Sequence, residues 1–359
     1  MDKNNCTKEM MDFLSELEQD TMPAFWIGNG HKIPLSPEFD KNNNILVFSE
    51  DKDARYTLAI YPNIMEVAAS YWIIDPDDKM SCYIEAYEEC LEAFDYKIKW
   101  LDFGSNPQVA YIYNPFEYID EENELTDLIQ MFLTQELKID SVTVSGKIRE
   151  KAEDLLTLCM KLLYRKKKKK ASVSELYNII PAIMKGSSMV GVDDNFKLLF
   201  QNLSKEDDLY KYYERYIHSE NKTATVCYCK YAVSMFLDCF HDKDTIHLER
   251  TQEEPTFVSF RKDTALPDNV YHACVDLVLK QYLRLASKRK NSKYTLEIFW
   301  NDPVSVGDPK DSYLSKSLST FKDFDINCML FFEDHKELSD YAEWKTIKDS
   351  CQYTISIPE

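Results

Sequence analysis

Glycine is the residue this chain is shortest of: seven in 359 positions, at 28, 30, 104, 146, 186, 191 and 307. Loops that cradle phosphate use glycine for close backbone approach and positive φ. The scarcity therefore argues against P-loop and Rossmann chemistry. Gly186 and Gly191 have P-loop spacing, but Val192-Asp193 stands where Lys-Ser/Thr is required. Gly28-Asn29-Gly30 lacks the third glycine of a dinucleotide fingerprint. A Gly-x-Ser-x-Gly elbow and a His-Glu-x-x-His helix are also missing. Asp75-Pro76-Asp77-Asp78 lacks the glycine and closing glutamate of an EF-hand, and His31 has no evident partner in its loop. No apolar run approaches the roughly 18 residues of a membrane span. Residues 1–20 carry no apolar signal-peptide core. These absences predict a cytoplasmic protein without a cofactor. The ten scattered cysteines fit free thiols in a reducing compartment.

What is present is charge, unevenly spread. Residues 1–140 hold 29 Asp+Glu against 10 Lys+Arg, while residues 141–359 hold 33 of each. An acidic unit repels a nucleic-acid backbone and suits a basic protein partner, or serves solubility. Nucleic acid is thus disfavoured for the first third and open for the rest.

Periodicity gives the elements. Residues 6–20 place Met10, Phe13, Leu14 and Leu17 at helical spacing. Ile45–Ser49, Arg55–Tyr61 and Val67–Ile74 read as strands, the second by its alternation of Tyr56, Leu58 and Ile60. Ser81–Phe94 reads as a helix, Tyr96–Phe103 and Val109–Tyr113 as strands, and residues 121–137 as a closing helix. Helix, three strands, helix, two strands, helix, with an acidic surface, resembles the fold of type III secretion chaperones and YbjN-like proteins. The helix Tyr83–Phe94, followed by Lys97-Ile98-Lys99-Trp100 and Val109-Ala110-Tyr111-Ile112-Tyr113, carries the same resemblance. It covers under half the chain. It implies a non-catalytic, often dimeric, protein-binding domain and transfers no site residue.

Residues 141–250 are mainly helical in pattern: Lys147–Tyr164, Ser174–Lys185 capped by Gly186, Phe196–Leu203, Asp207–Ile217 and Thr223–Phe240. Residues 251–359 alternate strands (Thr256–Phe260, Tyr294–Trp300, Ile326–Phe332, Tyr353–Ile357) with helices (Asn269–Ser287, Tyr313–Phe321, Glu337–Ile347). The expected class is α+β: an acidic chaperone-like domain at 1–140, a helical region at 141–250 and a small layered α/β domain at 251–359.

Two basic clusters are candidate binding surfaces. One is the tract after Arg165, namely Lys166, Lys167, Lys168, Lys169 and Lys170. The other is Arg284, Lys288, Arg289, Lys290 and Lys293. Each could meet phosphates or an acidic protein, could be a solvated helix end, or could pack against the acidic third of its own or a neighbouring chain. Cys227, Cys229, Cys239, His241 and His247 are the densest ligand-type group. Within one helix Cys227 and Cys229 point about 200° apart, so buried cysteines explain them better than zinc, and no metal is expected.

The case for an enzyme lies at strand ends. Asp302, Glu333 and Asp334 could hold a divalent metal for a nuclease or similar hydrolase. Their ordinary role would be turns and helix caps. The function expected is a non-catalytic adaptor or chaperone-like protein binding a protein partner, with a homodimer as one form of that pairing. A metal-dependent hydrolase and a nucleic-acid-associated protein are the alternatives.

Overall fold

A computed structural model describes residues 24–26, 32–34, 43–85, 87–104, 111–134, 138–139, 142–143, 146–184, 200, 202–289, 292–301, 303, 313–339 and 344–357. The predicted helix at 6–20, His31, most of the predicted helix 196–203, Lys290 and Asp302 lie outside these residues.

The described residues open on a hairpin, β1 (Ala24–Trp26) with β2 (Lys32–Pro34), paired antiparallel. The sheet strands follow: β3 (Ile45–Phe48), β4 (Ser70–Ile74) and β5 (Lys97–Phe103). A short antiparallel pair, β6 (Lys138–Ile139) and β7 (Val142–Thr143), precedes β8 (Thr256–Lys262), β9 (Leu296–Asn301), β10 (Ile326–Phe332) and β11 (Tyr353–Ser356). Among the described residues one parallel sheet runs in the order β11-β3-β10-β9-β4-β8-β5.

The composition of each strand matches its place. β3, β4, β9 and β10 are mainly apolar and buried along their whole length, as inner strands covered on both faces must be. The outermost strands β5 and β11 alternate buried or half-buried with more exposed residues. Side chains alternate between two cores. Leu46, Phe48, Trp72, Ile74, Trp300 and Leu330 face one, and Ile45, Val47, Tyr71, Ile73, Phe299 and Met329 face the other.

The second face is covered by the hairpin and by α1, a continuous helical segment. It comprises Lys52–Ala54, a π-helical stretch Arg55–Ile60, and Tyr61–Met65. α2 (Lys79–Glu85) and α3 (Glu88–Ala93) complete that layer. The first face receives α4 (Leu125–Thr134), α5 (Gly146–Lys167), α6 (Val173–Ile179), α7 (Tyr210–Ile217), α8 (Lys222–Ser234), α9 (Asp268–Ser287) and α10 (Tyr313–Leu318). α5 is the hub of the helical part, packing on α4, α7 and α8. α11 (His335–Ser339) and α12 (Trp344–Asp349) lead to β11.

This corrects the expected fold. Strands from the first and last thirds share one sheet, so there is neither a chaperone-like α+β unit nor a separate small C-terminal domain. Arg55–Tyr61 is helical: Tyr56, Ala59, Ile60 and Ile64 are buried at i, i+3, i+4 and i+8, and their alternation in sequence was coincidental. Of Val109–Tyr113, Tyr111 makes an isolated bridge to Leu101 and residues 109–110 are outside the description.

Candidate functional site

All strands of the sheet end on one edge, its carboxyl crest, where ligands of open α/β sheets sit. The chain leaves β3 into Ser49-Glu50-Asp51 and enters α1, while the next strand, β4, lies three places away. A strand–loop–helix at this place is where a P-loop protein holds phosphate. Here the loop holds its own side chains instead. Asp51 caps α1, accepting from the backbone N–H of Asp53 at 2.8 Å and of Ala54 at 3.2 Å. A carboxylate thus occupies the N–H groups a phosphate would take. Arg55 is 1% exposed, and its Nε and Nη2 donate to the Ser49 carbonyl at 3.1 and 2.8 Å. Ser49 is pinned in turn, its N–H donating to Phe332 O at 2.9 Å and its hydroxyl to Asp51 O at 2.9 Å. Ion pairs Lys52–Asp77 (3.0 Å) and Lys79–Asp53 (2.7 Å) tie this turn to the loop after β4.

Behind the turn lies a buried network. The Tyr56 hydroxyl donates to Asp75 Oδ1 at 2.5 Å, Met80 N–H donates to Asp75 Oδ2 at 2.7 Å, and Asn301 Nδ2 donates to the Tyr56 oxygen at 2.9 Å. Burial pushes the Asp75 carboxyl up to about 6. The bonds from Tyr56 and Met80 pull against that shift, and the charges of Asp78 and Asp77 add to it. Further along the crest, Arg261 pairs with Asp102 (2.5 and 2.7 Å) over the Trp100 ring.

The residues singled out from sequence fall elsewhere. Asp334 Oδ1 accepts from Glu337 N–H at 2.7 Å, and Glu333 N–H donates to Glu337 Oε2 at 2.5 Å, so both serve the start of α11. The tract 166–170 ends α5 and the second cluster ends α9, and one acidic segment joins them. Asp120 meets Lys169 at 2.7 Å and Lys288 at 2.6 Å, while Arg284 meets Asp127 at 2.8 Å and Glu124 at 3.4 Å. Lys167 pairs with Glu175, Lys168 lies over Tyr164, and Arg289 bonds Gln252 and the Glu249 carbonyl. Lys166 and Lys170 are exposed. Arg165 is gripped by Glu122, Asp207 and Asp208 at 2.7, 3.0 and 2.7 Å. In the cysteine group, Cys229 is buried and Cys227 exposed on α8. The crest residues Asp51, Arg55, Tyr56, Asp75 and Asn301 escaped the sequence reading because they match no motif. The one available signal was an apolar strand running directly into an Asp-capped helix.

The sheet order and crest define an α/β protein built on one parallel sheet with helices on both faces. No family model matches the sequence, and no curated protein matches it. Among solved structures, the unbound bacterial conjugative coupling protein TrwBΔN70 is similar at TM-score 0.59 and 16% identity, covering 93% of this chain and 73% of that one. TrwB in complex with ADP and Mg²⁺ is similar at TM-score 0.60 and 14% identity, covering 95% and 75%. VirB4 of Thermoanaerobacter pseudethanolicus is similar at TM-score 0.51 and 12% identity, covering 95% and 85%. At such identity the likeness establishes the fold.

The likeness overturns the YbjN-like and chaperone-like reading, and with it the adaptor function built on that fold. The metal-dependent nuclease alternative gains no support from these neighbours, and Glu333 and Asp334 are engaged in capping. TrwB is described with a nucleotide bound, and the turn after β3 in this chain lacks the residues of a phosphate-binding loop. Ser49–Tyr56 contains no glycine and no Lys-Ser/Thr, it carries three acidic residues, and its helix N-terminus is capped from within. Among the described residues no helix is long and apolar enough to cross a membrane.

Proposed function

We propose that this chain is a diverged motor-type P-loop subunit of a multi-protein transfer machine, in which the phosphate loop is replaced by a self-capped turn. The observation that carries this reading is the occupation of the crest by Asp51 and Arg55. The turn spends the Asp53 and Ala54 N–H groups on Asp51 and the Arg55 guanidinium on Ser49, and it adds the negative charge of Glu50, Asp51 and Asp53. Titration calorimetry with Mg²⁺·ATP, together with phosphate release, tests it. No binding at millimolar nucleotide and no turnover are expected. Micromolar binding with turnover would make the chain itself a nucleotide-binding ATPase, the reading that likeness to nucleotide-bound TrwB favours.

Protein partners are part of this proposal, and the similar coupling protein supports them by analogy. The basic residues 166–170 and 284–290 are proposed as contact surface only where they project: Lys166 and Lys170 are exposed, whereas Lys169, Arg284 and Lys288 hold the acidic segment. A lysine-to-alanine pair at 166 and 170 should weaken capture of a partner motor chain while leaving stability unchanged. Equal capture would remove these two residues from the interface.

A further inference from the structure

The crest also holds a titrating hydrogen-bond chain. Tyr56 comes from α1, Asp75 from the end of β4 and Asn301 from the end of β9, so three separate elements meet at one hydroxyl. Asp75 is fully enclosed and Asn301 is 3% exposed. With Tyr56 donating to Asp75 and Asn301 Nδ2 donating to Tyr56, the Asn301 Oδ1 is left buried with no donor among the described residues. A buried amide oxygen without a donor is costly, and the two ends of an amide are interchangeable by a half-turn. The groups facing Asp75 are Tyr56 from α1, Asp77 and Asp78 from its own loop, and Tyr271 from α9. The Tyr271 hydroxyl is spent on the Phe260 carbonyl at 2.8 Å. Lys52 answers Asp77 at 3.0 Å, and Arg261 approaches Asp78 at 3.8 Å.

We propose that Asp75, Tyr56 and Asn301 form a proton-operated latch with two hydrogen-bond directions, tying the turn after β3 to the ends of β4 and β9. In the ionised direction the amide NH₂ donates to Tyr56 and Tyr56 donates to the carboxylate. When Asp75 takes a proton from solvent, its new O–H donates to the Tyr56 oxygen. The Tyr56 O–H then turns to the side-chain oxygen of Asn301, whose amide has rotated by half a turn. Each direction keeps both links of the chain; the protonated one gives the Asn301 oxygen its donor and turns the amide NH₂ into the place the oxygen held. Burial of the carboxyl places the exchange near pH 6, inside the range a cell visits.

The latch shares the crest with the proposed self-capped turn and rests on that reading for its place in the motor fold. Its test uses no nucleotide, so failure of one is distinguishable from failure of the other. Infrared difference titration of the full chain between about pH 4.5 and 8 reads the carbonyl stretch of protonated buried carboxyls. One such band should vanish with a midpoint near 6 and be missing in Asp75→Asn. In Tyr56→Phe, which removes a bond favouring the carboxylate, the midpoint should move up by about half a unit or more. The same band titrating near 6 in Asp75→Asn, or Tyr56→Phe leaving the midpoint unmoved, overturns the latch. If Asp75→Asn does not fold, the Tyr56→Phe midpoint alone decides.

Discussion

The buried guanidinium of Arg55 is held on the carbonyl of Ser49, six residues earlier, through two of its nitrogens. This contact closes the turn between β3 and α1 at the carboxyl crest of the sheet.

Replacing Arg55 by Ala leaves a buried carbonyl unpaired and a void. It should lower stability by about 2–4 kcal/mol, read by urea unfolding. Arg55→Lys should recover less than half of that, because an ammonium cannot reproduce the two-nitrogen contact. A loss below about 0.5 kcal/mol for Arg55→Ala would show that the turn closes without it.

Glu297, on β9, is enclosed, and burial pushes its carboxyl up to about 8, with the charge of Glu66 adding to the shift. A carboxyl raised in the folded state contributes stability fully below its unfolded pKa and loses it as pH rises through the folded value. Stability should therefore fall between about pH 5 and 8 by roughly 3–5 kcal/mol from this group. Glu297→Gln should flatten that fall and stabilise the chain at pH 8. Parallel curves for the two proteins would refute it.

A Cβ at Gly104 would lie 2.4 Å from the Cβ of Asp263. Gly104→Ala forces β5 away from the turn after β8 and should cost about 1–3 kcal/mol in thermal or urea unfolding. Pairing it with Asp263→Gly should recover most of the loss, which separates crowding from a general effect on the strand.

Asp120 carries Lys169 and Lys288 on its two oxygens, and those lysines hold its carboxyl below the usual range. A carboxylate depressed in the folded state contributes stability above its unfolded pKa and loses it as the pH falls into the acid range. The site is half open to water, so Asp120→Asn should cost no more than about 1 kcal/mol at pH 7. The difference should shrink at about 1 M salt. An effect that persists in salt would point to packing instead of charge.

Much of the sheet was legible. Ser70–Ile74, Leu296–Asn301 and Ile326–Phe332 are apolar beyond what a half-exposed strand needs, and each is a buried inner strand. Asn269–Ser287 showed its helical stripe, and α9, at Asp268–Ser287, follows it. Arg55–Tyr61 was misread because a stretch of seven residues satisfies both a period of two and a period of 3.6, and only burial against β4 and the hairpin separates them. The crest was illegible for a different reason. Tyr56, Asp75 and Asn301 are joined across 19 and 245 positions, and no local spacing marks such a triad.

What the residues determined by themselves was local or compositional. Apolar runs demand burial, an aspartate before α1 caps it, and a chain with seven glycines has none in the turn after β3 with which to cradle phosphate. The tertiary structure decided which strands share a sheet. Met329 pairs with Ile45 although 284 positions separate them, because any buried apolar strand can pair with any other and only packing of the whole chain selects the order. It also decided the fate of the charges. The basic ends of α5 and α9 and the acidic segment 120–127 could each have faced solvent or a partner, and folding brought them onto one another.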